Sequence, residues 1–581
     1  MLTNRFLEHV LVGSKTFSKE DVAKYLAAAE GKNQELEDYL LNERLISEDS
    51  LYETVATAYQ LPFVNNIKHQ VIRQDILLLV PEPLAQHYQI VAFDIEEDKA
   101  VRVVTTDPEN LQAFEFLRKK TGHDIHVSLT TPATLKDLLK QYHKSLQAEF
   151  KSLTTTKSTE EGKEVASGKG LEELAEDLPV IRIVDTMLEY AIFEGASDIH
   201  IEPEETQVDV RYRIDGVLKS VMTLPKTVQA GVIARLKVLS NLKLDEHRLP
   251  QDGRFKIQTN EYNIAFRVSV LPTFDGEKIV LRLLNESGQV RPLDQMGMQQ
   301  GPFEVLQTNI KKPHGMILVT GPTGSGKTTT LYTILNVLNK PEVNISTIED
   351  PIEYRMPHVN QSQVNPKIGY TFANGLRALL RQDPNIIMVG EIRDNETAEI
   401  AVNAAMTGHL LLSTLHTNDA VTAMPRLADM GILPFLVAST TNMVMAQRLV
   451  RKICPYCIVS FNLDKAVLKE LDAQFNLQTV LGMLISQGSV TKATKSFDKL
   501  LFYRGKGCKQ CGHEGYRGRI GIYEVLNVTP EIGEAIVRKA TTKELLAMAR
   551  SQGMLTMVED GFLKAKGGIT SLEEVLRVTQ E

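Results

Sequence analysis

Residues 321–328 of this chain read Gly-Pro-Thr-Gly-Ser-Gly-Lys-Thr, a pattern that few folds can accommodate. An apolar run at 316–320 precedes it, and a run with helical character at 329–339 follows it. The glycines let backbone N–H groups turn inward around phosphate oxygens, and the start of the following helix adds positive potential. Both flanks are those that a phosphate-binding loop requires, which disfavours a chance lysine in a glycine-rich turn.

This loop predicts how a bound ATP would be held. We expect Lys327 to reach the β- and γ-phosphates and Thr328 to ligate Mg²⁺. The residues expected to bind the nucleotide are Gly321, Pro322, Thr323, Gly324, Ser325, Gly326, Lys327, Thr328 and Thr329.

Short apolar segments around the loop predict a parallel sheet with helices on both faces. These segments are 316–320, 345–348, 386–389 and 410–414. The alternation of such segments with helical runs indicates an α/β fold for this part of the chain.

Acidic residues follow two of these segments. Glu391 comes after 386–389, where it would hold the Mg²⁺ shell through water or stand as a charged residue in solvent. Glu349, Asp350 and Glu353 follow 345–348 closely. Phosphoryl transfer to water needs a carboxylate that orients or deprotonates the nucleophile, although three neighbouring acids are equally typical of a solvated loop.

Two histidines, His409 and His416, bracket the segment 410–414. A lone histidine is more often packed or exposed than catalytic. Because both lie near strand ends of one predicted sheet, a role at the nucleotide site is about as well supported as a structural one.

The four cysteines fall in two C-x₂-C pairs, Cys454 with Cys457 and Cys508 with Cys511. Two such pairs predict a tetrahedral zinc site with four thiolate ligands. The pairs are separated by 50 residues, more than in most zinc ribbons, and the intervening segment predicts helices of its own. Unmetallated buried thiols and a redox pair are the alternatives, and neither pair follows the βαβ start that a redox motif would need.

The bulk properties exclude some classes of protein. The net charge of −8 and the pI near 6.0 disfavour a protein that coats nucleic acid or anionic lipid with its whole surface. No apolar run is long enough to span a bilayer, and the first twelve residues do not form a secretory signal. We therefore expect a cytoplasmic protein that reaches a membrane only through partners.

Several segments together resemble the type II secretion and type IV pilus ATPase family. Residues 321–330, 347–353, 390–394 and 407–418 are similar to its four signature boxes. The segments 196–202, 248–254 and 508–524 also resemble that family, most closely its pilus-extension and secretion branch. The resemblance covers about 180–581.

The resemblance implies roles for individual residues. Glu353 would be the catalytic carboxylate, and Glu391 would place Mg²⁺ and water. His416, and with it His409, would sense the γ-phosphate. Arg267 and Arg282 would approach the nucleotide from the preceding domain, where a planar, permanently charged side chain neutralises transition-state charge. Ordinary surface arginines are the alternative.

The resemblance also implies an α/β fold with a RecA-like P-loop ATPase core, a preceding PAS-like domain, small N-terminal modules and a C-terminal zinc-binding and helical region. The expected division is 1–146 for the docking modules, 147–178 for a flexible linker, 179–290 for the PAS-like domain, 291–450 for the core, 451–525 for the tetracysteine module and 526–581 for the helical region.

In function, the resemblance implies a homohexameric motor that drives pilus or pseudopilus assembly through an inner-membrane platform protein. Two other functions remain open: a DNA-translocating or conjugation ATPase of the same superfamily, and a nucleotide-gated scaffold with little turnover. The acidic balance disfavours direct binding of nucleic acid.

The N-terminal region resembles paired modules that in some family members bind cyclic di-GMP through an Arg-Leu-Gly opening. The matching position here is Glu35-Leu36-Glu37. Glu35 would repel a phosphate, and Glu37 removes the backbone freedom of the glycine. We therefore expect this region to dock a protein and not to bind cyclic di-GMP.

Overall fold

The computed structural model describes residues 4–31, 34, 36–65, 67, 70, 72–77, 79–80, 84–85, 88–96, 99–139, 141–142, 177–258, 263–285, 292–491 and 496–580. All but the last two residues of the linker predicted at 147–178 lie outside these ranges, as does Glu35. Contacts group the chain into two compact units, Met1–Leu283 and Leu284–Glu581. The six-part division inferred from the sequence stays a prediction.

The first unit begins with two similar helical hairpins. They are formed by α1 (Asn4–Gly13), α2 (Lys19–Gly31), α3 (Leu36–Asn42) and α4 (Glu48–Ala58). Lys15 and Arg44 turn the chain at equivalent points with φ of 59° and 56°. Glu37 is buried in α3, where its carboxylate accepts a hydrogen bond of 2.5 Å from the Tyr52 hydroxyl. In this chain Glu37 therefore belongs to the packing of the hairpins.

Two sheets follow in the same unit. The strands are β1 (Ile90–Ile95), β2 (Val101–Thr105), β3 (Ile125–Leu129), β4 (Asp198–Pro203), β5 (Gln207–Ile214), β6 (Val217–Pro225), β7 (Gln251–Gln258), β8 (Asn263–Thr273) and β9 (Gly276–Asn285). The helices are α5 (Gln74–Leu77), α6 (Leu111–Thr121), α7 (Leu178–Phe193) and α8 (Gln229–Leu239). The sheet orders are β1-β2-β3 and β6-β5-β4-β9-β8-β7. The Phe193 ring contacts Phe116 and Tyr88, so one apolar core joins the two sheets.

The second unit is built on a seven-stranded sheet of order β12-β11-β13-β14-β10-β15-β18. Its strands are β10 (Gly315–Thr320), β11 (Ile345–Glu349), β12 (Val359–Gln363), β13 (Ile386–Val389), β14 (Leu410–Leu415), β15 (Thr441–Ile453) and β18 (Tyr516–Asn527). The first six strands of that order run parallel, while β18 pairs antiparallel with β15. The predicted α/β core is confirmed, and it gains an antiparallel edge strand.

Helices cover both faces of this sheet. Ile317 and Val319 of β10 pack into one apolar cluster, and Met316 and Leu318 pack into another on the opposite face. This near-continuous burial is typical of a parallel sheet between two helical layers. The helices of this layer arrangement are α9 (Gln300–Asn309), α10 (Lys327–Leu338), α11 (Phe372–Leu379), α12 (Asn395–Met406), α13 (Ala423–Asp429) and α14 (Pro434–Thr440).

The cysteine-bearing segment is an insertion between the last two strands of this sheet, β15 and β18. It contains the paired strands β16 (Ile458–Asn462) and β17 (Leu501–Gly505) and the helices α15 (Lys465–Phe475) and α16 (Leu477–Ser486). The helices α17 (Pro530–Val537), α18 (Thr542–Ser551), α19 (Met557–Lys566) and α20 (Leu572–Gln580) follow β18. None of the helices in the described residues is long and apolar enough to cross a membrane.

Glu524 of β18 links three parts of this unit. Its buried carboxylate accepts hydrogen bonds from the backbone N–H groups of Ala420, at 2.8 Å, and Met557, at 3.3 Å. Burial, together with the nearby charges of Asp419 and Glu559, raises the pKa of Glu524 to about 7. The folded chain therefore binds this proton more tightly than the unfolded chain does.

This pKa gives a testable stability prediction. Because the folded-state pKa is raised, the contribution of Glu524 to stability falls as the pH rises from about 4.3, the ordinary glutamate value, to about 7. Glu524→Gln should remove this decline, so its melting temperature relative to the native chain should rise between about pH 5 and about pH 8. Thermal unfolding at several pH values measures this, with the exposed Glu399→Gln as control. Parallel pH profiles for the native chain and Glu524→Gln would contradict it.

Candidate functional site

The glycine-rich loop connects the carboxyl end of β10 to the start of α10. Gly324 and Gly326 have φ of 81° and 89°, a region that favours glycine. A Cβ atom on Gly321 would lie 2.4 Å from the backbone oxygen of Gln447 and 2.8 Å from Ser325 Oγ. The close approach of β15 therefore requires glycine at 321. The loop curves over the amino end of a 12-residue helix, which is an anion-binding geometry.

Lys327 lies in the first turn of α10, and its side chain folds back over the loop. The ammonium donates hydrogen bonds to the backbone oxygens of Gly321, at 2.8 Å, and Pro322, at 3.0 Å. Burial lowers the pKa of Lys327, and the nearby Glu391 carboxylate opposes this shift. The next residue, Thr328, is exposed at the mouth of the loop.

Glu391 and His416 meet at the same edge of the sheet. Glu391 is 13% exposed, and its Oε2 atom lies 2.9 Å from His416 Nε2 and 2.5 Å from Arg393 Nε. Because β10, β13 and β14 are parallel, their carboxyl ends share one edge. The structure therefore brings Lys327, Glu391 and His416 together, as their positions after three apolar segments suggested.

His409 lies at the other end of β14, directly before its first residue. Its backbone oxygen accepts a hydrogen bond of 3.1 Å from Gly315 N at the start of β10, and its Nδ1 atom lies 2.9 Å from Ala404 O. The six residues of β14 separate it from His416, a distance of about 20 Å at strand geometry. Within this chain His409 therefore does not lie beside Lys327, Glu391 and His416, since residues that bracket one strand lie at its two ends; its role in sensing the γ-phosphate stays a prediction.

The acidic segment after β11 contains two glutamates in different environments. Glu349 is 2% exposed. It accepts hydrogen bonds from Thr347 Oγ1 at 2.5 Å, from Gln361 Nε2 at 3.2 Å and from the Tyr332 hydroxyl. Burial raises the pKa of Glu349. Its oxygens are thus held by the protein's own donors.

Glu353 lies four residues further on, in a loop, and is partly buried. Its backbone N–H donates to the Tyr332 oxygen at 3.3 Å. Tyr332 therefore ties the two glutamates to α10. Sequence reasoning missed Tyr332 and Gln361; the only available signal was that Tyr332 falls on the buried face of the helix that begins at Lys327.

Arg267 and Arg282 belong to the first unit. Both are exposed, on the face of the six-stranded sheet opposite its buried residues. Arg282 Nε donates to Asp198 Oδ1 at 2.9 Å, and Asp198 is itself buried. Arg267 of β8 is opposite Arg254 of β7 in the strand register. The fixed Asp198 carboxylate therefore orients the guanidinium of Arg282.

The four cysteines form one cluster, with all sulfur atoms within 4.8 Å of one another. Three of the separations are 3.8 Å for Cys454–Cys508, 3.9 Å for Cys457–Cys511 and 3.7 Å for Cys508–Cys511. A tetrahedral site with zinc–sulfur bonds of about 2.3 Å places its sulfurs about 3.8 Å apart. These distances fit four thiolates around one ion and do not fit disulfides, whose sulfurs are about 2.0 Å apart.

The surroundings of the cluster affect its cysteines in different ways. Backbone N–H groups of Cys508 and Gly515 each lie 3.2 Å from Cys511 Sγ. Burial and the neighbouring cysteines raise the pKa of Cys508 to about 12. Four thiolates at this spacing therefore require a cation to balance their charge.

Comparison with known proteins assigns the family. Residues 173–577 match the family described as Type II/IV secretion system protein, and residues 59–149 match the MshEN domain. The chain is 37% identical to the type IV pilus assembly ATPase PilB of Myxococcus xanthus, over 98% of each chain. It is 40% identical to the type II secretion system ATPase E of Vibrio cholerae, over 88% of this chain and 98% of that protein.

A further relative, the PilB of Thermus thermophilus, is 40% identical over 94% of this chain, which spans 59% of that protein's length. Among solved structures, the pilus retraction motor PilT with bound ADP is 27% identical, with a TM-score of 0.46 over 69% of this chain and 97% of that one. Since the family match covers well over half of its length, the chain belongs to the type II/IV secretion system protein family.

Proposed function

We propose that this chain hydrolyses ATP and that hydrolysis drives assembly of a type IV pilus or a type II secretion pseudopilus. The observation that carries this proposal is the convergence of Lys327, Glu391 and His416 at the mouth of the glycine-rich loop. The names of relatives that match along nearly the whole chain, a pilus assembly ATPase and a secretion ATPase, support it.

The loop and Lys327 would bind the phosphates. In the structure the Lys327 ammonium is held by two loop carbonyls, and phosphate oxygens would offer it stronger, charged acceptors. Thr328 and Glu391 present the oxygen donors that suit Mg²⁺, which would neutralise charge on the β- and γ-phosphates. His416, held beside Glu391, would contact the γ-phosphate region.

We propose Glu353 as the carboxylate that orients the attacking water. Glu349 is engaged by three side-chain donors, so its role would be to hold the loop that carries Glu353. Arg267 and Arg282 would neutralise phosphate charge, with Asp198 orienting the guanidinium of Arg282. A cytoplasmic homohexamer acting on an inner-membrane platform protein is the assembly that we propose for this motor.

We further propose that Cys454, Cys457, Cys508 and Cys511 bind one structural Zn²⁺. The sulfur spacing fits tetrahedral coordination, and all four positions are filled by protein, as in structural sites. The ion would hold together the insertion between β15 and β18, whose two strands and two helices form a small module.

Lys327→Ala tests the nucleotide site. Steady-state phosphate release should fall by at least about two orders of magnitude, because no neutral side chain replaces an ammonium on the phosphates. Folding should survive, since among the described residues the hydrogen bonds of the lysine side chain go to its own loop. The control is Lys340→Ala, an exposed lysine just beyond α10. Native-like turnover by a folded Lys327→Ala chain would refute the assignment, and negligible turnover by the native chain would favour a nucleotide-gated scaffold.

Glu353→Gln tests the choice of catalytic acid. ATP binding should persist while hydrolysis falls on the order of a hundredfold, the usual loss when a general base is removed. Glu349→Gln is the matched comparison, and it should mainly lower the melting temperature because it disturbs a buried hydrogen-bond network. A large loss of turnover in Glu349→Gln or Glu391→Gln, with little in Glu353→Gln, would identify a different acid.

Cys508→Ser tests the metal site. Elemental analysis should find about one zinc per native chain and a large loss in the variant. Hydrogen exchange should rise within the insertion at about 454–515, whereas β18 should stay protected because it pairs with β15. ATP binding should persist. Tyr456→Ser, at an exposed position between two cysteines, should keep its metal. Native protein purified without chelator and free of zinc would contradict the proposal.

A further inference from the structure

Gln447 lies in the middle of β15, and both its side chain and its backbone oxygen contact the glycine-rich loop. Its side chain is 2% exposed. Nε2 donates a hydrogen bond of 2.7 Å to the backbone oxygen of Ser325, and Oε1 accepts one of 2.7 Å from Thr330 Oγ1. The backbone oxygen of Gln447 faces Gly321, where any Cβ atom would lie 2.4 Å away.

These contacts satisfy a hydrogen-bonding requirement of the glycine-rich loop. When backbone N–H groups turn inward around a phosphate, carbonyl groups of the same loop turn outward. A buried outward carbonyl needs a donor, because leaving it unpaired carries a large desolvation penalty. Gln447 supplies that donor to Ser325. Because the Ser325 oxygen can only accept, it fixes Nε2 toward the loop, and the Thr330 hydroxyl donates to Oε1 and holds that end of the amide in place.

The strand that carries Gln447 has little freedom to move. It pairs with β10 on one side, where Thr320 is opposite Ala446, and with β18 on the other, where Tyr523 is opposite Gln447. A donor on a strand held from both sides stays at a fixed position relative to the loop. This arrangement is typical of residues that preorganise a site without touching the ligand.

We propose that Gln447 is a positioning residue that holds the loop at 321–326 in its phosphate-accepting conformation before the nucleotide arrives. The inference rests on the proposed function, since the loop must bind ATP for its conformation to matter. Without Gln447 the loop has to be ordered at the moment of binding. The free energy needed to order the loop then weakens ATP binding and raises KM, and it lowers kcat less.

Gln447→Met, which is similar in size but forms neither hydrogen bond, should weaken ATP binding by about tenfold to a hundredfold and raise KM in parallel. Gln447→Glu keeps the acceptor for Thr330 but turns an oxygen toward Ser325 O, so its loss should be at least as large. Thr330→Val removes only the hydrogen bond that anchors Oε1 of the amide, and it should raise KM by less. Titration calorimetry and steady-state kinetics measure these changes.

A double-mutant comparison separates positioning from general destabilisation. If Thr330 acts through Gln447, the double variant Gln447→Met with Thr330→Val should have the same KM as Gln447→Met alone. Native ATP affinity and KM in a folded Gln447→Met chain would overturn the proposal. Should that variant not fold, native KM in Thr330→Val would overturn it. A native chain that binds ATP without hydrolysing it would contradict the proposed function, but the comparison of ATP affinities would still test the role of Gln447. A native chain that binds no ATP would overturn both proposals.

Discussion

The parallel pairing of β10, β13 and β14 places the carboxyl ends of three strands at one edge of the sheet. Each strand is followed by one polar contribution to the site: the glycine-rich loop, Glu391 and His416. Their separation in the sequence is large, but the register of buried apolar strands brings them to the same end of the sheet, where Glu391 Oε2 lies 2.9 Å from His416 Nε2. The geometry of the candidate site therefore depends on the packing of buried Ile, Leu, Val and Met side chains in these strands.

A second layer of buried polar residues supports this edge. Tyr332 connects Glu349 to the backbone of Glu353, and Gln447 connects β15 to the loop. Each of these side chains both donates and accepts hydrogen bonds inside the protein. Such networks are costly to break because each removal leaves a buried partner unsatisfied. They give the loops that carry Lys327 and Glu353 fixed positions that exposed loops would lack.

The cysteine cluster is joined to the same framework. β15 carries Gln447 at its centre and ends at Ile453, beside Cys454, and β18 begins at Tyr516, shortly after Cys511. Cys454 N donates to Gly515 O at 2.9 Å, closing the base of the insertion. A metal-bound module at this point would stiffen β15, which pairs with the strand that leads into the glycine-rich loop, and the neighbouring strand β18.

Features with a local signal could be predicted from the amino-acid sequence: the glycine-rich loop with its strand and helix, the two C-x₂-C pairs, and the alternation of strands and helices. These depend on spacing of a few residues, which backbone geometry translates directly into structure. Four other features became visible in the folded chain: His409 lies at the far end of β14, residues 516–527 complete the core sheet, Glu349 is hydrogen-bonded by its neighbours, and Gln447 is hydrogen-bonded to the loop. Those outcomes depend on pairing between segments distant in the chain, and spacing along the sequence carries no record of which strands become neighbours.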